Sequence, residues 1–211
     1  MTRTVTKPRD ESNRARRRAQ KAASHRRRII GLVTTGMAVV VIAVVLVLHY
    51  VNRQSGSTTT VAPAVGEVAP NASFTTLSGS NVEVASLRSH PTLLWFVSTW
   101  CSSCQAGTQS VAHNIAALRR DGVRVDEVEL YKDLGQSGPS MSQFARVLAG
   151  PEATNPNWTF GTSSLQMTRT YDPSGYLDIY YLLDSHGRVS YVNGSPGSTM
   201  PQLLAAAKNV A

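Results

Sequence analysis

The chain has 211 residues and a formal net charge of +8, which suits one domain with a real core plus appendages and is too short for two full domains. Residues 1–28 hold eleven Lys and Arg against Asp10 and Glu11, a net of +9, so the rest of the chain is close to neutral at −1. The main body therefore lacks the broad basic footprint of a DNA- or RNA-binding protein, and no nucleic-acid partner is expected for it.

In chain order, residues 1–28 form a basic tail whose composition predicts disorder. Residues 29–51, IIGLVTTGMAVVVIAVVLVLHYV, contain no Asp, Glu, Lys or Arg. As a helix they would cover roughly 34 Å, enough for a hydrocarbon core of ~30 Å. This segment is predicted to be a transmembrane anchor. It is too long for the apolar core of a cleavable signal peptide, which points to an uncleaved signal-anchor. Arg26, Arg27 and Arg28 abut its near end and only Arg53 lies just beyond its far end. The positive-inside bias then places the N-terminus in the cytoplasm and the C-terminal domain outside the cell membrane. Residues 52–65, rich in Ser, Thr, Gly and Pro, read as a stalk, and the globular domain is expected over residues 66–211.

Within that domain the run from Pro91 to Val97, bounded by turn residues, predicts a central buried strand. After Cys101 the spacing of Val111, Ile115 and Leu118 predicts a helix, ended by Arg119, Arg120 and Gly122. Val123 to Leu130 reads as a strand, and Met141, Phe144 and Leu148 mark a second helix closed by Gly150-Pro151. A third helix is expected within Ser163 to Tyr171. Tyr176 to Asp184 and Arg188 to Asn193 form a predicted hairpin about the turn Ser185-His186-Gly187. A last helix is expected after a cap at Ser198 or Thr199, with Pro201 in its first turn. Alternating elements ending in a hairpin and helix imply a mixed sheet covered on both faces.

The chemistry is expected at Trp100-Cys101-Ser102-Ser103-Cys104. A Cys-x-x-Cys placed after a buried strand and opening a helix puts its first thiol among unpaired amide donors at the positive end of the helix dipole, which favours thiolate. Cys101 is therefore the expected nucleophile. Cys104, one turn on, is placed to resolve a mixed disulfide. Covalent haem would need His after the second Cys, where Gln105 stands. Structural zinc needs four ligands, and this chain has two cysteines. A purely structural disulfide and Cu(I) held by the two thiols stay open as alternatives. His113 and His186 read as surface residues.

The sequence resembles the TlpA/ResA-like branch of the thioredoxin-fold proteins. The resemblance rests on Val68-Ala69-Pro70-Asn71-Ala72-Ser73-Phe74, then Val84-Ala85-Ser86-Leu87-Arg88, then Thr92 through Cys104, and late in the chain Leu182-Leu183-Asp184-Ser185-His186-Gly187-Arg188-Val189. It implies a thioredoxin-like three-layer α/β fold with a mixed central sheet and an N-terminal hairpin extension. It also implies a membrane-tethered thiol-disulfide oxidoreductase facing the extracytoplasmic side, a reductant of cysteine-containing proteins such as apocytochromes c, recharged by a membrane thiol reductase. The redox-active disulfide Cys101–Cys104 would serve in place of any cofactor, and no metal is expected.

Three positions depart from the family pattern. Asp178 stands where the family has a proline facing the active-site pair, and a cis bond before a non-proline residue costs about 2.5–4 kcal/mol, so a trans bond is expected there. Trp95 stands six before the nucleophile, where thioredoxins carry an acid. Glu127, Glu129 and Asp133 are then the candidate proton acceptors. Ser102-Ser103 has neither the proline common in reductants nor the histidine of strong oxidants. Trp100 is expected to shield the thiols, and Ser102, Ser103 and Asp178 to border them. The missing proline keeps two other functions open, a copper-binding chaperone of similar fold and a redox-inactive protein-binding domain. Copper chaperones of this fold, however, use a wider Cys spacing and a distal histidine.

Overall fold

The computed structural model describes residues 61–210; the expected basic tail, the expected membrane anchor and most of the expected stalk lie outside the described residues. The strands are β1 (Ser73–Thr76), β2 (Asn81–Glu83), β3 (Thr92–Val97), β4 (Arg124–Glu129), β5 (Trp158–Ser163), β6 (Ile179–Leu183) and β7 (Val189–Gly194). The helices are α1 (Ser102–Arg120), α2 (Met141–Leu148), α3 (Leu165–Tyr171) and α4 (Pro196–Ala207). None of these helices is long and apolar enough to cross a membrane.

Seven strands form one mixed sheet in the order β2-β1-β5-β4-β3-β6-β7. β3 sits inside it, parallel to β4 and antiparallel to β6, and all six of its residues are buried. That is why it reads as an unbroken apolar run: helices cover both of its faces, so neither set of alternating side chains meets water. Leu93, Trp95 and Val97 point into a core shared with α1, α2 and α4. Leu94 and Phe96 point into a second core with Met167 and Tyr171 of α3 and with Ala69 and Phe74. In that second core the Phe96 and Tyr171 rings stack with centroids 5.3 Å apart, and Tyr181 meets both edge-on.

The N-terminal hairpin extension is β1–β2, and β1 also pairs antiparallel with β5. Before it, Gly66 N–H donates to Val189 O and Ala69 N–H to Gly187 O, tying the start of the domain to β7.

Three sequence expectations change. The stretch before α3 contains β5, which was not anticipated. Its Thr159, Gly161 and Thr162 break the apolar signal, and Gly161 is required because a Cβ there would lie 2.6 Å from the Phe74 ring and 2.7 Å from Thr75 O. The strand expected from Tyr176 begins only at Ile179, because Leu177 and Asp178 adopt positive φ (44° and 61°). The last helix starts at Pro196 rather than after Ser198 or Thr199. Thr199 is instead a kink inside it (φ −108°), its hydroxyl donating to Gly194 O and Ser195 O.

Gly161→Ala is expected to destabilise the domain by about 1–3 kcal/mol, because the methyl group must push apart two paired strands. Urea unfolding followed by tryptophan fluorescence measures this, and an unchanged midpoint would contradict the close approach of β1 and β5.

Candidate active site

The segment that leaves β3 turns at Ser98 to Trp100 and enters α1 at Cys101. Cys101 is the helix N-cap in extended conformation (φ −80°, ψ 122°), and its Sγ accepts the Cys104 N–H at 3.4 Å. A thiol in this place does the work of a capping Ser or Asp, satisfying one of the unpaired amides of the first turn. The Ser103 Oγ lies 3.1 Å from the same sulfur. Cys101 is 6% exposed and Cys104 fully buried, so only the first can meet a protein substrate without a rearrangement. Burial pushes the Cys104 thiol far up, and the nearby Asp178 carboxylate adds to this. The Ser98 N–H lies 3.5 Å from Cys104 Sγ and opposes the shift in part.

Trp100, 38% exposed, stands beside Cys101. Its indole N–H donates to Asp133 O at 2.9 Å. The Asp133 carboxylate accepts the Thr99 N–H at 2.8 Å and also the Thr99 hydroxyl. Asp133 reaches them because Lys132, Asp133 and Leu134 form a left-handed turn, with φ between 51° and 56°. A run of non-glycine residues in this region costs roughly 1–2 kcal/mol per residue and is sustained only by surrounding contacts. Gly138 packs so closely on Thr99 and Asp133 that a side chain there would collide with both.

Under α1 lie two buried carboxyls. Glu127 projects from β4 beside Trp95, its register partner on β3. Its Oε1 is 2.7 Å from the Thr108 hydroxyl, which also contacts Cys104 O at 3.0 Å. Burial pushes Glu127 up to about 8, the Thr108 hydroxyl pulling it back and Asp178 adding to the rise. Asp178, 1% exposed, accepts the Trp95 indole N–H on Oδ1 at 2.9 Å. Burial raises its pKa, and the Trp95 N–H and the Ser103 and Ser195 hydroxyls hold it down. The peptide before Asp178 is trans, as expected for a non-proline residue. The chain there turns through the left-handed region and is fixed by Ser195 N–H donating to Asp178 O at 2.8 Å.

Glu129, at the end of β4, is half-buried and raised to about 7 by burial and by Asp133. Of the three acids expected to assist, Glu127 lies beneath the Cys104 turn, while Asp133 braces the approach to Cys101. Ser102 and Ser103 are exposed on the first turn of α1. His113 and His186 lie on the surface.

The sequence reading gave no role to Gly107 or Thr108. Gly107, one turn after Cys104, has no room for a side chain: a Cβ would lie 2.7 Å from the Trp95 ring and 3.4 Å from Asp178 Oδ1. A glycine inside a helical pattern was the available signal, since it costs about 1 kcal/mol relative to Ala and so tends to mark a close approach.

No protein-family profile matches the chain, and no curated protein matches it in sequence. Solved structures do match. A thioredoxin-like protein from Aeropyrum pernix superposes with a TM-score of 0.53 at 19% identity, covering 66% of this chain and 89% of that one. A secreted Mycobacterium tuberculosis disulfide oxidoreductase homologous to E. coli DsbE gives 0.50 at 22% identity, over 65% and 94% of the two chains. Arabidopsis thaliana ScoI with copper bound gives 0.50 at 15% identity, over 68% and 99%. The fold is thus thioredoxin-like, a mixed sheet between two helical layers.

Two outcomes follow from this geometry. Asp133→Ala strands the Thr99 donors and removes the tether of the left-handed turn. It is expected to cost about 1–3 kcal/mol in urea unfolding and to shift Trp100 emission. Glu127 binds its proton more tightly folded than unfolded, so the stability it contributes is fully present below about pH 4.5 and is lost as the pH rises through about 8. Glu127→Gln is therefore expected to flatten the decline of stability between pH 5 and 8 by up to about 1.4 kcal/mol per pH unit. Identical pH profiles for the two proteins would contradict a protonated Glu127.

Proposed function

We propose that this chain is a membrane-anchored thiol-disulfide oxidoreductase whose domain at residues 66–211 works outside the cytoplasm, reducing disulfides in cysteine-containing proteins. One observation carries the reading: Cys101 caps α1 with its sulfur on the Cys104 amide, nearly at the surface, while Cys104 waits one turn deeper and fully buried. An accessible thiol at a helix start attacks the substrate disulfide, and the enclosed thiol then attacks the mixed disulfide and frees the reduced substrate. The disulfide oxidoreductase of M. tuberculosis shares this fold, which supports the same chemistry here. The apolar segment at residues 29–51 and the arginines before it support the anchor and its orientation. A membrane thiol reductase would return the pair to the dithiol form.

The assignment as a reductant rests on the resemblance carried by the segments around Cys101 and Cys104, and the midpoint of a redox titration tests it.

Titrating the full chain in dithiothreitol and glutathione buffers, with alkylated thiols counted by mass, is expected to give a reversible two-electron transition nearer to about −270 mV than to about −120 mV. Cys101→Ser is expected to abolish reduction of a protein disulfide. Full reduction by Cys101→Ser, or no reversible disulfide in the parent chain, would overturn the proposal.

A further inference from the structure

We infer that the cavity at the end of the sheet opposite the thiols binds a small zwitterion, an α-amino acid with an aliphatic side chain, whose ammonium pairs with Asp126 and whose carboxylate meets Arg124. The cavity has a volume of about 320 Å³ and lies between β2 with its following turn and the starts of β3, β4 and β5. That volume is at the small end of the range for ligand sites. Thr92, which lines it, is five residues before Val97 at the thiol end of β3, roughly 17 Å along the strand. The site makes no use of the cysteines, so it stands or falls apart from the exchange reading.

Asp126 is the acid of this cavity. In the register of β3 and β4 it stands beside Leu94, as Val128 stands beside Phe96. It therefore shares the sheet face that packs into the core with α3 and Phe74, and it is only 6% exposed. A carboxylate has about four lone-pair sites for donors. The hydroxyl of Thr159, its neighbour on β5, supplies one, while Arg124 acts on it as a charge without a hydrogen bond. The other lone pairs open on the cavity. Burial raises the Asp126 pKa to about 6, with Thr159 and Arg124 opposing the rise, so the group is an anion at neutral pH in spite of its enclosure. A buried anion with so few partners within the fold is costly, and an ammonium brings both the opposite charge and three donors.

The mouth has the opposite sign. Arg124 and His90 line it and are exposed. Arg124 stands two residues before Asp126 on the same face of β4, about 6.6 Å along the strand. A simple cation entering here is repelled by Arg124 and a simple anion by Asp126, whereas a molecule with both charges is attracted at both ends. Val82 of β2 and Leu87 of the following turn supply an apolar wall, which fits an aliphatic side chain. Ser89, also at the mouth, is held at φ 118° with its N–H on Ser185 O at 2.9 Å. Among the described residues it is the one non-glycine residue of positive φ away from the thiols, and such conformations cluster at ligand sites.

The test titrates the full chain in detergent with glycine, L-alanine, L-valine and L-leucine by isothermal calorimetry. At least one is expected to bind at one site per chain with a Kd below about 1 mM. Acetylating the amino group of that ligand, or Asp126→Asn in the protein, removes the enclosed charge pair and is expected to weaken binding by at least about tenfold. Arg124→Gln acts at the exposed mouth and is expected to weaken it by about 2- to 5-fold. Three results would overturn the assignment: no binding of any of the four below about 1 mM, which leaves a cavity holding only water; an acetylated form that binds within about 3-fold of the free amino acid; or Asp126→Asn binding within about 3-fold of the parent. The first two need no variant to fold.

Discussion

The hydrogen bond from Trp95 to Asp178 fixes the arrangement of the site. It joins the central strand to a loop 83 positions later in the sequence, and each partner is where it is because of the other. An indole on the helix-facing side of β3 fills the space under α1, which forces Gly107 to have no side chain. The Trp95 side chain is fully buried, so its indole N–H needs an acceptor within the protein, and a buried donor left unmade costs about 1–3 kcal/mol. Asp178 provides that acceptor, and its carboxyl lies against Gly107 of α1.

Around this bond the backbone is bent against its preferences. Among the described residues, six of the seven non-glycine residues with positive φ border the thiol pair or its supports: Lys132, Asp133, Leu134, Leu177, Asp178 and Ser195. Such conformations persist only where contacts over-determine them, and the contacts are identifiable. Asp133 is held by two donors of Thr99 and by the Trp100 indole on its carbonyl. Asp178 is held by Trp95 at the side chain and by Ser195 N–H at the carbonyl. The strained segments flank α1, one on the Trp100 side of Cys101 and one beneath Cys104. Apart from Ser89, the strain among the described residues lies in the two segments that support the approach to Cys101 and the space under α1.

This distribution explains what the sequence made legible. β3, α1 and the site at Cys101 and Cys104 could be read because each rests on a local pattern: an apolar run, a helical repeat, a spaced cysteine pair after a strand. The burial of Glu127 was not readable, since Arg124-Val125-Asp126-Glu127-Val128-Glu129 carries twice as many charged residues as apolar ones and gives no sign of which carboxyl faces the core. Nor was the left-handed turn, because Lys132 and Leu134 are not residues that favour positive φ, and only their long-range partners hold them there. The strand expected from Tyr176 stops short at Asp178 for the same reason: its local sequence suits extension, and a contact 83 residues away overrides it. β5 escaped notice because Gly161, which weakens the strand signal, is demanded by the crowding of Phe74.

The two thiols are made unequal by position alone. Cys101 caps the amide end of α1 and keeps 6% of its surface exposed. Cys104, one turn deeper, meets burial and a carboxylate, both of which favour the neutral thiol. An exchange site needs this inequality, because the less enclosed thiol meets the substrate while the enclosed one is kept from side reactions until the mixed disulfide brings an electrophilic sulfur to it. Trp95, six residues before Cys101, occupies the strand with a side chain that cannot accept a proton, and its indole holds the loop before β6 beneath α1 through Asp178.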